Sequence, residues 1–133
     1  MDRRTLMLIQ RNYPSDQDII LKMYKNEEDT TKSSTTGNLR LINKQTTIGE
    51  LTFTSFQDKL IIEEIFVKSS FHGRGFGTYL LKLAEIFAAE HGLQQVILKP
   101  SHIDKMKLMS LKDWYRKRGY TSCGLGLMRK PVG

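Results

Sequence analysis

Residues 60–92 read LIIEEIFVKSSFHGRGFGTYLLKLAEIFAAEHG, and this stretch decides the fold. Leu60, Ile61, Ile62, Ile65, Phe66 and Val67 place apolar side chains on both alternating faces, the pattern of a central strand covered on both sides, with Glu63 and Glu64 interrupting it. Leu80, Leu83, Ala84, Phe87 and Ala88 then recur at helical spacing over residues 78–90, and His91-Gly92 supplies a glycine stop. Between strand and helix stands His72-Gly73-Arg74-Gly75-Phe76-Gly77. Glycines let backbone approach a ligand, and the first-turn N–H groups of the following helix suit phosphate oxygens, with Arg74 able to add a charged contact. A plain strand-to-helix connection has the same pattern. A dinucleotide-binding unit is disfavoured, because the strands before this turn form a meander and no acidic residue or second crossover follows where that fold needs them.

Upstream, residues 39–42, 47–54 and 60–67 are three β-rich runs separated by polar turns, a meander of antiparallel strands. Residues 5–11 make a first strand that ends before Pro14. Ser15, with Asp18 three positions on, resembles a helix cap, and Ile19, Ile20, Met23 and Tyr24 form a stripe that predicts a short helix to about residue 25. Residues 26–38 (NEEDTTKSSTTGN) hold no apolar side chain and are expected to be a mobile loop. Downstream come a short strand at 96–98, a basic helix over 106–118 ending at Gly119, and a last strand over 120–128 weakened by Gly124 and Gly126. The expectation is one domain over residues 1–133 of mixed α/β class, with helices on both faces of the sheet.

The chain of 133 residues carries a net charge of +7. The first 66 residues hold nine basic and ten acidic side chains, the remainder twelve and four, so the excess lies in the second half. An anionic ligand and a solvated basic face both account for that asymmetry. A single cysteine, Cys123, excludes an internal disulfide, and no apolar run reaches the ~18 residues of a membrane span. A cytoplasmic protein with no membrane partner is expected. The three histidines are too scattered for a metal site, so none is expected.

The chain resembles the GNAT superfamily of acyl-CoA-dependent N-acyltransferases. Its pyrophosphate loop, Q/R-x-x-G-x-G/A, is matched at residues 72–77 in every fixed position except the first, which is His72. Glu63-Glu64-Ile65-Phe66-Val67 is similar to the end of the family's fourth strand, and Trp114-Tyr115-Arg116-Lys117-Arg118-Gly119-Tyr120 to the segment closing its last helix. The resemblance covers residues 47–130, and the first 46 only in element order. It implies a GNAT-like fold in which an antiparallel meander is joined through a central strand to a parallel pair.

The resemblance further implies that acetyl-CoA is the co-substrate, held by Ile65, Phe66, Val67, His72, Gly73, Arg74, Gly75, Phe76, Gly77 and Thr78. Acyl transfer needs a neutral amine although a free alkylamine titrates near ~10, and Glu63 and Glu64 are the candidate bases. The amides of Ile65 to Val67 would steady the thioester oxygen, and Tyr115 matches the family's general-acid tyrosine. Simple alternation puts the two glutamates on opposite faces unless a bulge re-aims the strand. Each role has a plainer competitor: a solvated carboxylate pair, a core tyrosine beside Trp114, and a solvated basic surface for Arg116, Lys117 and Arg118, whose functional reading is contact with CoA phosphates. Leu108 stands where many family members carry asparagine, with Ser101 a stand-in, and His102 is a candidate for the acceptor cleft.

The function implied is an N-acetyltransferase moving an acetyl group from acetyl-CoA to a primary amine, on a small molecule or a peptide or lysine, by direct attack in a ternary complex. One alternative is an acetyltransferase for charged tRNA or another nucleic-acid-bound amine, motivated by the net +5 over residues 99–118. Another is a CoA- or RNA-binding module without catalysis. Monomer and homodimer both remain open.

Overall fold

The computed structural model describes residues 4–9, 19–26, 34–43, 45–101 and 104–133, the first two segments as backbone only. Eight strands form one sheet in the order β1-β2-β3-β4-β5-β6-β8-β7. β1 (Arg4–Ile9), β2 (Ile19–Asn26), β3 (Ser34–Asn43), β4 (Thr46–Phe56) and β5 (Lys59–Val67) pair antiparallel in sequence. β5 then runs parallel to β6 (Gln95–Leu98), and β6 pairs antiparallel with β8 (Leu127–Pro131), which pairs with β7 (Thr121–Gly124). The two helices are α1 (Phe76–Glu90) and α2 (Lys105–Arg116).

One face of the sheet forms the core. Leu39 and Leu41 of β3, Leu51 and Phe53 of β4, and Leu60 and Ile62 of β5 are buried, and so are Leu80, Ala84 and Phe87 of α1. The Phe53 and Phe87 rings lie 5.2 Å apart, joining sheet to helix. A Cβ on Gly49 would stand 3.0 Å from the Phe66 carbonyl oxygen and 3.2 Å from Leu80 Cδ1, so the close seating of α1 on β4 depends on a residue without a side chain.

The connections β5-α1-β6 and β6-α2-β7 each link parallel strands and step the same way across the sheet. Right-handed crossovers then put both helices on the same face. The cleft linings agree: Trp114 and Tyr115 of α2 wall one cleft together with Ile65, which is registered opposite buried Leu51. Helices were expected on both faces; among the described residues they occupy one. The second face of β5 is correspondingly open, with Phe66 53% exposed, so β5 is central in the sheet but covered on one side only.

Three other expectations change. The helix expected over residues 15–25 is, over Ile19–Asn26, strand β2, with Leu21 and Met23 in register with Leu41 and Leu39; residues 15–18 lie outside the described residues. Alternating Ile19, Leu21 and Met23 fit a strand as well as the helical stripe fits a helix, and ladders to β1 and β3 on either side decide between them. The mobile loop expected over residues 26–38 is strand at Asn26 and at 34–38, while 27–33 lie outside the described residues. Thr36 and Gly37 need no apolar side chain there, because β2 and β4 satisfy the backbone on both sides, and Thr35 is held by β4. The expected last strand is two strands, β7 and β8, joined where Gly124, Leu125 and Gly126 all take positive φ (95°, 55° and 76°).

Among the described residues, no helix is long and apolar enough to cross a membrane, and no three His, Cys, Asp or Glu side chains cluster as metal ligands.

Candidate active site

The turn after β5 is a cradle. Lys68 N–H donates to the Ile48 carbonyl at 2.8 Å, the last bond to β4, and Ser69–Phe71 then forms one 3-10 turn. The chain passes through Gly73 (φ 78°) and Gly75 (φ 83°), a left-handed conformation that suits glycine, before α1 begins at Phe76. The first bond of the α1 ladder is Tyr79 N–H to the Gly75 carbonyl, so the amides of Gly77 and Thr78 have no acceptor in that ladder. No acidic side chain stands in this first turn. The positive end of the helix dipole therefore faces a cleft of about 370 Å³ walled by Gly75, Gly77, Thr78, His72, Trp114 and Arg118. An anionic group fits it, and the position beside Gly73 where a Cβ would stand is open space.

His72 Nε2–H donates to the Val67 carbonyl at 2.6 Å. A carbonyl only accepts, so the proton is on Nε2, and the imidazole ties the turn back to the strand that launches it. Arg74 lies 5.5 Å from the centre of the Phe71 ring and is not in the wall of the cleft.

A second cleft of about 530 Å³ adjoins the first, since His72 and Trp114 line both; its other walls are Ile65, Lys107, Ser110, Leu111 and Tyr115. Asp104 starts α2 by accepting from Met106 N–H (2.9 Å) and Lys107 N–H (3.3 Å). Tyr115 is the buried residue of this helix, packed edge-on against Trp114 (5.0 Å) and Tyr120 (5.7 Å). Burial pushes its phenol above the ordinary tyrosine range.

Behind Tyr115, Tyr120 O–H donates to Glu85 Oε2 at 2.9 Å and Lys130 Nζ to Glu85 Oε1 at 2.8 Å, which ties α1, β8 and the end of α2 together. Tyr120 is pushed far upward by burial first, then by the Glu85 charge and hydrogen bond.

The pairing of β5 with β6 ends at Ile62 and Leu98, so residues 63–67 have no strand partner on the β6 side. The bulge that re-aims β5 falls here. Thr52 is opposite Glu64 and Phe53 opposite Ile62, which leaves Glu63 as the extra residue. Leu51 and Phe53 face α1, so Thr52 and Thr54 face away from it. Glu63 accepts a hydrogen bond from Thr54 Oγ1, and Glu64 is registered with Thr52. The bulge therefore puts both carboxylates on the face away from the helices, exposed, where unbroken alternation would have separated them. Neither lines the two clefts.

Of the residues expected in the site, Ile65, Val67, Tyr115 and most of 72–78 line the two clefts, whereas Phe66 is exposed on the other face. Leu108 is half-buried, Ser101 is exposed outside both clefts, and His102 lies outside the described residues. Cys123 is exposed in β7. Sequence reasoning missed Lys107, Ser110 and Leu111, although with Trp114 they keep the i, i+3, i+4, i+7 spacing of one helix face.

The family profile described as "Acetyltransferase (GNAT) domain" matches residues 39–122. Solved structures of the same fold include an acetyltransferase from Bacillus cereus (22% identity, TM-score 0.63, 78% of this chain and 79% of that one). The PaiA N-acetyltransferase of Thermoplasma acidophilum, in complex with coenzyme A, matches at 18% identity and TM-score 0.59 over 71% of this chain. The match spans 59% of that protein's length. The ribosomal-protein-S18-alanine N-acetyltransferase of Escherichia coli matches at 15% identity and TM-score 0.61, over 72% of this chain and 68% of that one. No curated protein sequence matches. At these identities the structural likeness establishes the fold, while the profile spans well over half of the chain, from β3 into β7 and across both clefts: the protein belongs to the GNAT family of acetyltransferases.

Proposed function

We propose that the protein is an N-acetyltransferase that moves an acetyl group from acetyl-CoA to a primary amine, both substrates bound at once. The observation that carries this reading is the continuity of the two clefts, from the helix-start cradle along the unpaired end of β5 to Tyr115. The amides of Gly77 and Thr78 and the α1 dipole would hold the pyrophosphate. Residues 65–67 would align the pantetheine arm and steady the carbonyl oxygen. A thioester supplies an acyl group activated for attack by nitrogen.

The acceptor would approach the opposite face of β5, where Glu63 and Glu64 stand together. A carboxylate there takes the proton an ammonium must lose before its nitrogen can bond to the acyl carbon, and the pair favours a cationic acceptor. As the carbon–sulfur bond breaks, the thiolate needs a proton, and Tyr115, whose pKa burial moves still further above neutrality, carries one at neutral pH.

The test is thiol release with acetyl-CoA and a panel of primary amines, for wild type and Tyr115→Phe. Transfer to at least one amine, reduced at least tenfold in kcat by Tyr115→Phe, supports the reading. Folded protein that binds CoA but acetylates none of a broad amine panel would favour the non-catalytic module.

A second reading moves the acceptor onto a nucleic acid. Exposed Lys105, Lys107, Arg116 and Lys117 of α2 and the residue following it favour it. Activity that falls steeply with salt would select this reading, whereas a small amine responds weakly.

A further inference from the structure

Arg118 is the one permanently charged side chain in the wall of the 370 Å³ cleft among the described residues. Its guanidinium carbon lies over the Trp114 ring, 3.8 Å from the ring centre. NH1 donates to the Trp114 carbonyl at 2.7 Å, and Nε and NH2 donate to Thr78 Oγ1 at 3.2 and 3.1 Å. A guanidinium has five N–H donors, so these three bonds leave two unassigned. Because Thr78 Oγ1 accepts from Arg118, its own hydrogen is left to donate. A charge and a hydroxyl donor are thus held beside the α1 N-terminus before any ligand arrives.

The other cationic or titratable groups near the loop do not fill this role. His72 commits Nε2–H to Val67, and Arg74 lies over Phe71, outside the wall.

We propose that Arg118, set by Trp114 and Thr78, is the side chain that binds the pyrophosphate of the CoA-type substrate, beside the α1 amides. The arrangement is a clamp of two parts: backbone N–H groups of the first turn of α1 and, held against that turn through Thr78, a guanidinium from just past α2. The proposal rests on the CoA reading of the cleft and assigns its phosphate contact to a residue four positions beyond Trp114.

Calorimetric titration of the full chain with CoA and with dephospho-CoA tests it, using wild type, Arg118→Gln and Arg118→Lys, each checked for folding by its melting curve. Arg118→Gln is expected to weaken CoA binding by about tenfold or more, the scale of a charge-assisted hydrogen bond, and dephospho-CoA by the same factor, since both ligands keep the pyrophosphate. Arg118→Lys should recover part of the loss, and the gap between wild type and Arg118→Gln should shrink toward one at ~1 M salt. Should Arg118→Gln fail to fold, the lysine variant still decides the matter: weakened, salt-sensitive binding supports the clamp, and wild-type affinity overturns it. Binding of Arg118→Gln within about twofold of wild type overturns the proposal. So does a loss that lysine does not relieve and salt does not change, which marks a helix-to-helix clasp, and so does a loss confined to CoA, which marks the 3′-phosphate. Wild type that binds neither ligand overturns the CoA reading itself, with this proposal.

Discussion

Replacing Tyr120 by phenylalanine removes one hydroxyl from a network behind the candidate active site. Tyr120 is 1% exposed, and its O–H donates at 2.9 Å to a Glu85 carboxylate that is also bound by Lys130 at 2.8 Å. A hydrogen bond to a charged group contributes ~1.5–3 kcal/mol, and because Lys130 keeps its hold on Glu85 the loss should fall near ~2 kcal/mol. Unfolding entropy of ~2.1 cal/mol/K per residue converts that, for a chain of this length, to a Tm about 7 °C lower at pH 7. Alkaline pH supplies the second arm. The native pKa of Tyr120 is raised, so its contribution is fully present below the unfolded tyrosine value near ~10 and is lost as pH rises above it. There the unfolded chain releases the proton while the native one keeps it, so stability falls by up to ~1.4 kcal/mol per pH unit for this residue. Tyr115 adds a decline of the same sign, because its pKa is also raised. Tyr120→Phe should therefore be less stable at pH 7 and lose stability less steeply above pH ~10. Thermal melts followed by circular dichroism across pH 7–11 read both. A variant with unchanged Tm at pH 7, or with the same alkaline slope as wild type, would refute the reasoning.

Other substitutions test separate parts of the structure. Gly49→Ala forces a methyl against the Phe66 carbonyl and Leu80, and should cost ~1–3 kcal/mol, read by urea unfolding. Asp104→Ala removes the α2 cap and should lower stability by about 1 kcal/mol while leaving CoA affinity within about twofold. With an accepted amine identified, Glu63→Gln together with Glu64→Gln should cut kcat/KM severalfold and shift its pH profile without changing CoA affinity; an unaltered rate would remove the pair from the mechanism.

The part of the fold from β4 to α2 was legible because each element there has one reading; beyond it, the positive φ of Gly124, Leu125 and Gly126 splits the expected last strand into β7 and β8. Apolar runs bounded by polar turns gave β4 and β5, and the spacing of Leu80, Leu83, Ala84 and Phe87 with Gly92 behind it gave α1. Further upstream β1 and residues 39–42 of β3 were legible, but residues 19–26 satisfy two periodicities at once, and neighbouring strands make the choice between them. Residues 34–38 illustrate the complementary case: they carry no apolar side chain, yet the ladder to β4, and for 36–38 the ladder to β2, holds them in the sheet through the backbone. In the site, the glycine turn and Tyr115 were readable as motifs. The side on which Glu63 stands was not, since a one-residue bulge reverses alternation without any mark in residue type. Arg118 stood in a basic run that looks like a solvated face, and the contacts with Thr78 and Trp114 set it apart from its neighbours.

The measurement that tests the central claim most directly is calorimetric titration of the folded protein with acetyl-CoA. Binding in the micromolar range, weakened when the glycine turn is altered by Gly75→Val, is the expected result. Absence of any binding at millimolar acetyl-CoA, in protein whose melting curve shows it to be folded, would contradict the account.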